Sequence, residues 1–369
     1  FILFLNLFVF FIKFLFNKLH MSKNFYKNDI KEIVSSINNC KKRIQNKKIL
    51  LVGANGFLGK YFVEVFNTII NESKIKLRVD CYDNFISSKT QLDLFKKNKF
   101  IKFYKGDVSK IQIKKKYDKI IFLAGIASPF IYKKYPLETL SVSYIGVENL
   151  LKNTLKNKSE FIFFSSSEIY GNPDKKNIPT KETYYGNVNS FGPRSCYDEG
   201  KRVGETLCYI YKNYFKCNIK IIRPFNVFGP LMNKKDYRVI PNIINKIISN
   251  DKILIHGNGK QTRTFCYITD AISGFLKIIF LGRVGEIYNI GNQKNEISMI
   301  NLVKVFNKIL NKKNKFKLID YPKNYPADEP KRRCPNINKA IMHTGYNPSV
   351  SIYEGISRVL KYNKISANK

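Results

Sequence analysis

A tyrosine and a lysine four residues apart are the first candidates for chemistry in this sequence. In the stretch GPRSCYDEGKR at 192–202, Tyr197 precedes Lys201, and of the 23 tyrosines only Tyr197 has a lysine at this spacing. On a helix, positions i and i+4 share one face, so the ammonium can lie beside the phenol. At about 4 Å and an effective dielectric constant near 20, their attraction is about 4 kcal/mol, enough to lower the phenol pKa from about 10 to about 7. The pair therefore predicts a tyrosine that acts as a general base.

A second polar group follows a buried strand candidate. The stretch SSSEIYG at 165–171 comes directly after EFIFF and contains Ser166, Ser167 and Glu168. Open α/β sheets bind their ligands at the carboxyl ends of the strands. Because the Tyr197 stretch lies between this strand candidate and the next, we expect the serines and the tyrosine to meet at one edge of the sheet.

Three glycines mark a candidate dinucleotide site. Gly53, Gly56 and Gly59 follow the strand candidate KKILLV and open an amphipathic helix pattern that begins at Phe57 and Leu58. Such glycines permit a tight turn, close approach of the backbone to a pyrophosphate, and close helix packing, with the positive helix end facing the phosphates. The context of strand, turn and helix predicts that this loop binds a dinucleotide.

An acidic residue favours NAD over NADP. Asp83 ends the second strand candidate, 24 residues after Gly59, where a carboxylate binds the ribose hydroxyls and repels a 2′-phosphate. Asp80 is the alternative acid at this strand. Asp107 is either a loop cap or an adenine contact, and both interpretations stay open. The remaining candidate cofactor residues are Phe57, Leu58, Asn84, Val108, Ala124, Tyr197 and Lys201.

The elements that position these residues alternate regularly. Six more apolar strand candidates follow the first, separated by segments of helix or loop length: KLRVDCY, KFIKFY, DKIIFLAG, EFIFFSS, IKIIRPF and GEIYNIG. This alternation predicts an α/β fold, a doubly wound parallel Rossmann sheet with helices on both faces. We expect an NAD-binding domain at 47–230 and a smaller C-terminal, mainly substrate-binding domain at 231–369, with some segments returning to the sheet.

Composition excludes several classes of protein. The net charge of +38 comes from lysines spread along the whole chain, so it favours an anionic small substrate and not nucleic acid. The seven cysteines form no C-x-x-C pair, which predicts reduced thiols in a cytoplasmic compartment and no disulfide framework. Three scattered histidines predict no metal centre.

Residues 1–46 form an apolar and basic extension. The apolar run at 1–20 is interrupted by Lys13, is short for a membrane span and lacks the cleavage site of a secretory signal. The chain opens on Phe1, and the first methionine is Met21. We predict either an over-extended reading frame or an N-terminal anchor, with membrane association only in the second case.

Several motifs together resemble one enzyme family. GANGFLG, SSSEIYG, YDEGK and RPFNVFGP are similar to the extended short-chain dehydrogenase/reductases, which comprise nucleotide-sugar epimerases, dehydratases and decarboxylases. GNVNSFGPRSCYDEGKRVGETLCYIY, NGKQTRTFCYITD and DEPKRRCPNINKA most resemble the UDP-glucuronate decarboxylase branch, over about 47–362. At Gly125 and Ile126 the chain departs from that branch, which tends to have a second Ser-Pro there.

The resemblance implies a role for each matching residue. Tyr197 and Lys201 would oxidise the sugar at C4 together with NAD, and Ser166 would align the reacting hydroxyl. Glu168 would order a water or orient the carboxylate, and Arg263 would donate a proton or clamp an anion. The residues implied in substrate binding are Ser167, Asn226, Arg238, Arg263 and Arg333.

The resemblance leaves alternatives open. A 4-epimerase or a 4,6-dehydratase-like enzyme would use the same scaffold, although the dehydratases normally have an acid at the position of Ser167. A protein that binds NAD or RNA without catalysis is a third possibility, and Ser166, Tyr197 and Lys201 argue against it. The expected product is UDP-xylose, formed from UDP-glucuronate by a cytoplasmic homodimer.

Overall fold

A computed structural model describes residues 26–87, 98–233, 236, 238–321 and 330–366. The predicted anchor or mis-assigned start at 1–20 lies outside these residues. The structure has the following strands: β1 Lys47–Val52, β2 Leu77–Asp83, β3 Ile101–Lys105, β4 Lys119–Phe122, β5 Glu160–Phe164, β6 Asn218–Pro224, β7 Val227–Phe228, β8 Ile253–His256, β9 Thr262–Thr264, β10 Cys266–Tyr267, β11 Ile287–Ile290, β12 Glu296–Ser298, β13 Phe316–Ile319 and β14 Arg332–Arg333.

Helices connect most of these strands. The helices are α1 26–36, α2 Lys41–Ile44, α3 Phe57–Glu72, α4 Pro129–Lys134, α5 Pro136–Ser141, α6 Val147–Asn157, α7 Ser195–Asn213, α8 Val239–Ile248, α9 Ile268–Leu281, α10 Met299–Leu310, α11 Asn338–Thr344 and α12 Ile352–Tyr362. None of those in the described part of the chain has the length and apolar character needed to cross a bilayer.

Seven strands form one parallel sheet. Its order is β11-β6-β5-β4-β1-β2-β3, and every neighbouring pair is parallel. The chain runs outward from β1 to β3, then returns to β4 on the other side of β1, as in a doubly wound fold. The prediction of a parallel Rossmann sheet is confirmed, and each apolar strand candidate contributes one strand.

Alternate side chains of β1 enter two different cores. Ile49 and Leu51 pack in the larger core, and Leu50 and Val52 pack in a second core on the other face. Successive side chains of a strand point to opposite faces, so a strand buried on both faces is apolar throughout. The larger core contains α3 and α9, and the second contains α6 and α7.

The later part of the chain adds smaller sheets beside the large one. These are β12-β9-β14, β13-β8 and β10-β7. Strand β11 returns to the edge of the large sheet beside β6. Segments on both sides of residue 230 contribute strands to one sheet. The predicted division into two domains at this residue therefore stays a prediction.

The N-terminal segment packs on the same face as α9. Ile30, Ile33 and Ile37 are buried in the larger core, and Asp29 accepts a hydrogen bond from Tyr267 at 2.7 Å. Arg358 of α12 forms an ion pair with Asp29 at 3.2 Å. Residues 26–37 therefore join α9 and α12 into one packed layer.

Candidate active site

Helix α7 presents Tyr197 and Lys201 to the sheet. Both side chains are buried, as the i,i+4 spacing predicts. The helix lies close to β5, because a Cβ atom on Gly204 would come within 2.4 Å of the Phe163 ring. A larger residue at 204 would push α7, and Lys201 with it, away from the strand.

The phenol of Tyr197 does not have the lowered pKa that the sequence suggests. The Lys201 ammonium donates to the carbonyl oxygens of Phe164 at 2.8 Å and Ala124 at 3.4 Å, and lies 6.0 Å from the centre of the Tyr197 ring. Burial raises the pKa of Tyr197 to about 12, against a hydrogen bond from Ser166 that lowers it. Burial also lowers the pKa of Lys201 to about 8. The prediction of a phenol pKa near 7 is wrong for this chain, because desolvation outweighs an ammonium that is already bound to carbonyls.

The strand-end serines lie beside the tyrosine. Ser166 hydrogen-bonds the phenol of Tyr197 and accepts from the backbone N–H of Glu168 at 3.2 Å. Ser167 begins a buried 3₁₀ turn, Ser167–Tyr170. The sequence prediction that Ser166 and Tyr197 meet is therefore reproduced in the geometry.

Glu168 is held by arginines from two other elements. Arg333 donates to its two carboxylate oxygens at 2.5 and 2.8 Å, and Arg194 contacts the second oxygen as well. Burial alone would raise the pKa of Glu168, but Arg194, Arg333 and Arg263 outweigh it and lower the pKa to about 2. Glu168 is therefore a fixed anion at neutral pH.

Arg263 and Arg333 are direct neighbours. They pair in register on the parallel strands β9 and β14, and Arg263 donates to the carbonyl oxygen of Thr262 at 2.9 Å. Both guanidinium groups act electrostatically on Glu168. Sequence analysis assigned Arg263 a proton-donor or anion-clamp role and Arg333 a role in substrate binding. Both arginines act on the same carboxylate, that of Glu168.

The glycine loop has the shape that a dinucleotide requires. Gly53 has a positive φ of 84°, and a Cβ atom there would lie 2.7 Å from the backbone of Ala124. A Cβ atom on Gly59 would lie 2.3 Å from the carbonyl oxygen of Gly53. Gly56 precedes α3, which begins at Phe57, and Phe57 and Leu58 pack against the larger core. These residues fit NAD, whose pyrophosphate needs bare backbone at a helix N-terminus.

Asp83, and not Asp80, lies at this loop. Asp83 accepts from the backbone N–H groups of Asn55 at 2.8 Å and Phe85 at 2.7 Å, whereas Asp80 accepts from Lys115 and Tyr117. Burial raises the pKa of Asp83, and these N–H donors oppose the shift. This position favours Asp83 over Asp80, and its role in binding the ribose hydroxyls stays a prediction.

The other candidate cofactor residues are more varied. Asp107 caps its own turn by accepting from the N–H and the hydroxyl of Ser109. Val108 packs in the second core, and Asn84 accepts from the backbone N–H of Ile86. Ala124 lies between Gly53 and Lys201, which places it beside both parts of the site.

Two candidate substrate-binding residues have side-chain partners within the protein. Asn226, at a positive φ of 37°, donates its side-chain amide to the carbonyl oxygen of Thr264 at 3.0 Å. Arg238 pairs with the buried Asp236 at 2.6 Å. Their roles in substrate binding stay predictions.

Sequence reasoning missed three residues. Arg194, the residue before α7, forms an ion pair with Asp198 of that helix at 3.2 Å. The i,i+4 spacing of these opposite charges is the sequence signal that could have revealed the pair. Burial and the charge of Glu168 raise the pKa of Asp198 to about 7. Tyr132 stacks on Tyr197 with ring centres 5.8 Å apart and planes inclined by 10°. No sequence signal predicts this stacking, because it depends on how α4 packs.

Gly125 gives Lys201 its space. A Cβ atom at this position would come within 2.9 Å of the Lys201 ammonium. The departure noted at Gly125 in the sequence therefore lies beside a candidate catalytic group. Among the described residues, no cluster of three or more His, Cys, Asp or Glu side chains could hold a metal ion.

Comparison with known proteins identifies similar chains. The model of the NAD dependent epimerase/dehydratase family matches residues 49–291. UDP-glucuronic acid decarboxylase 3 of Arabidopsis thaliana is 35% identical over 87% of this chain and 90% of the relative. UDP-glucuronic acid decarboxylase 1 of Xenopus tropicalis is 31% identical over 86% of this chain and 72% of the relative. A crystal structure of UDP-glucuronic acid 4-epimerase from Bacillus cereus, in complex with UDP-glucuronic acid and NAD, has a TM-score of 0.72 at 26% identity, covering 86% of this chain and 99% of that chain.

Proposed function

Because the chain belongs to the NAD-dependent epimerase/dehydratase family, we propose that it converts UDP-glucuronate to UDP-xylose and carbon dioxide. The observation that carries this proposal is the cluster of Arg194, Arg263 and Arg333 around Glu168 and Asp198. Three guanidinium groups and two carboxylates leave a net positive charge in this largely buried cluster. Such a cluster suits a sugar that carries a carboxylate better than a neutral sugar.

NAD is the cofactor that the family uses, and it supplies the group that accepts and later returns a hydride. Gly53, Gly56 and Gly59 would hold its pyrophosphate, and Asp83 would bind the ribose hydroxyls. Lys201 lies between the glycine loop and Tyr197, because its ammonium reaches the carbonyl oxygen of Ala124. This contact supports a position of the proposed acid–base pair next to the proposed cofactor loop.

The reaction begins at the sugar 4-hydroxyl. Tyr197 would act as the phenolate, which the Lys201 ammonium and the cationic ring of bound NAD would stabilise against the effect of burial. It would accept the hydroxyl proton while Ser166 holds the same oxygen in line. The product is a 4-ketone with a carboxylate on the neighbouring C5, which is a β-keto acid. Its C5–carboxylate bond breaks, carbon dioxide leaves, and the electron pair remains as an enolate.

The enolate needs positive charge and then a proton. Arg263 and Arg333 supply the charge from adjacent strands, as preorganised groups that need little rearrangement. A proton from water would add at C5, and Tyr197 would return its proton to the oxygen at C4. Because NAD would supply hydride acceptance and hydride return in the same cycle, one bound NAD would serve every turnover.

A 4-epimerase is the second candidate, and the Bacillus cereus structure favours it because that enzyme binds UDP-glucuronic acid on the same fold. An epimerase rotates the 4-keto sugar and keeps its carboxylate. A dehydratase would need an acid where this chain has the buried Ser167. Release of carbon dioxide therefore separates the first candidate from both others.

The test is product analysis by mass spectrometry. We expect purified protein to carry NAD and to convert UDP-glucuronate to UDP-xylose with no stoichiometric addition of cofactor. UDP-glucose and UDP-galactose, supplied separately, serve as controls that should not react. Interconversion of the two neutral sugars, or formation of UDP-galacturonate without loss of carbon dioxide, would establish the epimerase instead.

We also propose that the protein is a homodimer. Leu137, Leu140, Tyr144 and Ile145, on α5 and the π-helical turn Val142–Gly146 that follows it, are exposed. A contiguous apolar surface on a soluble protein commonly marks an interface, and α5 packs directly on α7. Sedimentation equilibrium should give a dimer for the parent and a monomer for Leu137→Glu. A monomeric parent would contradict the proposal.

A cytoplasmic location is proposed from cysteine chemistry. Seven cysteines lie within the described residues, and all are free thiols, six of them buried. Burial raises the pKa of all seven thiols, which suppresses the reactive thiolate. Such a set suits a reducing compartment.

A further inference from the structure

We propose that Arg194 is a positioning residue, which holds Glu168 at a fixed place relative to the helix that carries Tyr197. This inference rests on the proposed function, because it assigns Glu168 a part in the reaction. It concerns a residue to which the sequence analysis assigns no role, although it lies in the same stretch as Tyr197. Arg194 stands immediately before α7 begins.

The contacts of Arg194 join two elements. Its Nε atom lies 3.2 Å from a carboxylate oxygen of Asp198 in the first turn of α7, and its Nη2 atom contacts Glu168 in the turn after β5. A guanidinium is planar and rigid, so two such contacts fix both of its partners. The strand-end turn is thereby tied to α7 through one side chain.

Arg333 holds Glu168 in a different direction. It comes from β14, 165 positions later in the chain, and occupies both carboxylate oxygens. Without Arg194, the position of the Glu168 carboxylate would be set by Arg333 of β14 and not by α7. The two arginines therefore have separate effects on where the carboxylate stands relative to Tyr197.

A purely structural role explains this cluster poorly. The Arg194, Glu168 and Asp198 side chains are only 14%, 19% and 7% exposed, and one carboxylate oxygen of Asp198 is buried without a hydrogen-bond partner. Buried ion pairs add little net stability, because desolvation offsets their attraction. This arrangement therefore contributes more to the fixed positions of the three side chains than to the free energy of unfolding.

The charged and titratable groups around Glu168 come from several elements. They are Arg194 just before α7, Asp198 and Tyr197 of α7, Arg333 of β14, Arg263 of β9 and Tyr132 of α4. Desolvation raises the pKa of Glu168, and Arg194, Arg333 and Arg263 lower it. Removing the Arg194 cation should therefore raise the pKa of Glu168 from about 2.

The test compares Arg194→Met and Arg194→Lys with the parent, each as full-length protein with NAD bound. We expect Arg194→Met to lower kcat by about 10- to 100-fold, as misplacement of a catalytic group does, and to change KM by less than about threefold. Because loss of the Arg194 charge raises the pKa of Glu168, the kcat of Arg194→Met should fall more steeply than that of the parent as the pH is lowered. Arg194→Lys should recover part of the rate, because it restores the charge without the planar fork.

Arg358→Met is the matched control. Arg358 also makes an i,i+4 ion pair, with Glu354, and a second ion pair with Glu32, but it lies in α12. We expect this variant to lose thermal stability and to keep the kcat and pH profile of the parent. A matching loss of kcat in both variants would overturn the positioning role, as would an Arg194→Met enzyme with the parent rate and profile.

Failure of the Arg194 proposal can be distinguished from failure of the proposed decarboxylase function. If the parent interconverts sugars without releasing carbon dioxide, the decarboxylase proposal fails, and the Arg194 variants are compared in the epimerisation that the parent performs. If Arg194→Met does not fold, Asp198→Asn releases one anchor of the same guanidinium and is expected to lower kcat by about 10-fold. An unchanged kcat in Asp198→Asn and Arg194→Lys would then refute the inference.

Discussion

Replacing Tyr197 with phenylalanine is expected to slow hydride transfer by about 10²- to 10⁴-fold, the usual contribution of a general acid–base group. The ring should remain in place, because Phe keeps the stacking on Tyr132 and the burial that Tyr197 has. Only the hydroxyl that Ser166 contacts is lost. Bound NAD and the thermal unfolding temperature should therefore match those of the parent. Appearance of the reduced cofactor in a single turnover with UDP-glucuronate measures the step directly.

Tyr209→Phe is the control for this variant. Tyr209 lies on the same helix but is exposed, so loss of its hydroxyl should leave the rate unchanged. A Tyr197→Phe enzyme within about threefold of the parent would mean that the phenol packs against the site without taking part in the reaction.

Removal of the Arg263 side chain should affect decarboxylation more than binding. Arg263→Ala is expected to reduce carbon dioxide release by about 10²-fold or more, because the guanidinium acts mainly where negative charge develops. Affinity for UDP should change little, since Arg333 and Arg238 remain. Product formation from UDP-glucuronate and displacement of a fluorescent UDP analogue give the two quantities separately.

The neighbouring strand offers a matched control for Arg263. Arg332 of β14 is exposed and paired with Glu296 at 2.6 Å, so Arg332→Ala should keep both the rate and the affinity. An Arg263→Ala enzyme that loses UDP binding as much as carbon dioxide release would reassign Arg263 to substrate binding alone.

The sheet was predictable from the sequence because its strands are buried on both faces. Apolar runs such as Leu50–Val52 have few alternatives once a glycine turn and a helix pattern follow them. The short strands β9 and β14 were not predictable in the same way. They contain only 3 and 2 residues, and their pairing depends on contacts between segments far apart in the chain.

The chemistry of the site was predictable only where spacing along one element decides it. Tyr197 and Lys201 share a helix, so their common face followed from the sequence. The target of the Lys201 ammonium did not, because the carbonyl oxygens of Phe164 and Ala124 belong to other segments. The pKa prediction for Tyr197 failed for this reason: a distance of about 4 Å was assumed from spacing alone, and the cost of burial was left out.

The pairing of Glu168 with Arg333 has a consequence for biosynthesis. The six strands β1 to β6 end by residue 224, so most of the large sheet is translated well before Arg333 leaves the ribosome. Until β14 pairs with β9, Glu168 lacks the arginine that occupies both of its oxygens. A nascent chain can therefore assemble most of its large sheet early, but the candidate active site is completed only after Arg333, 165 positions beyond Glu168, has been translated.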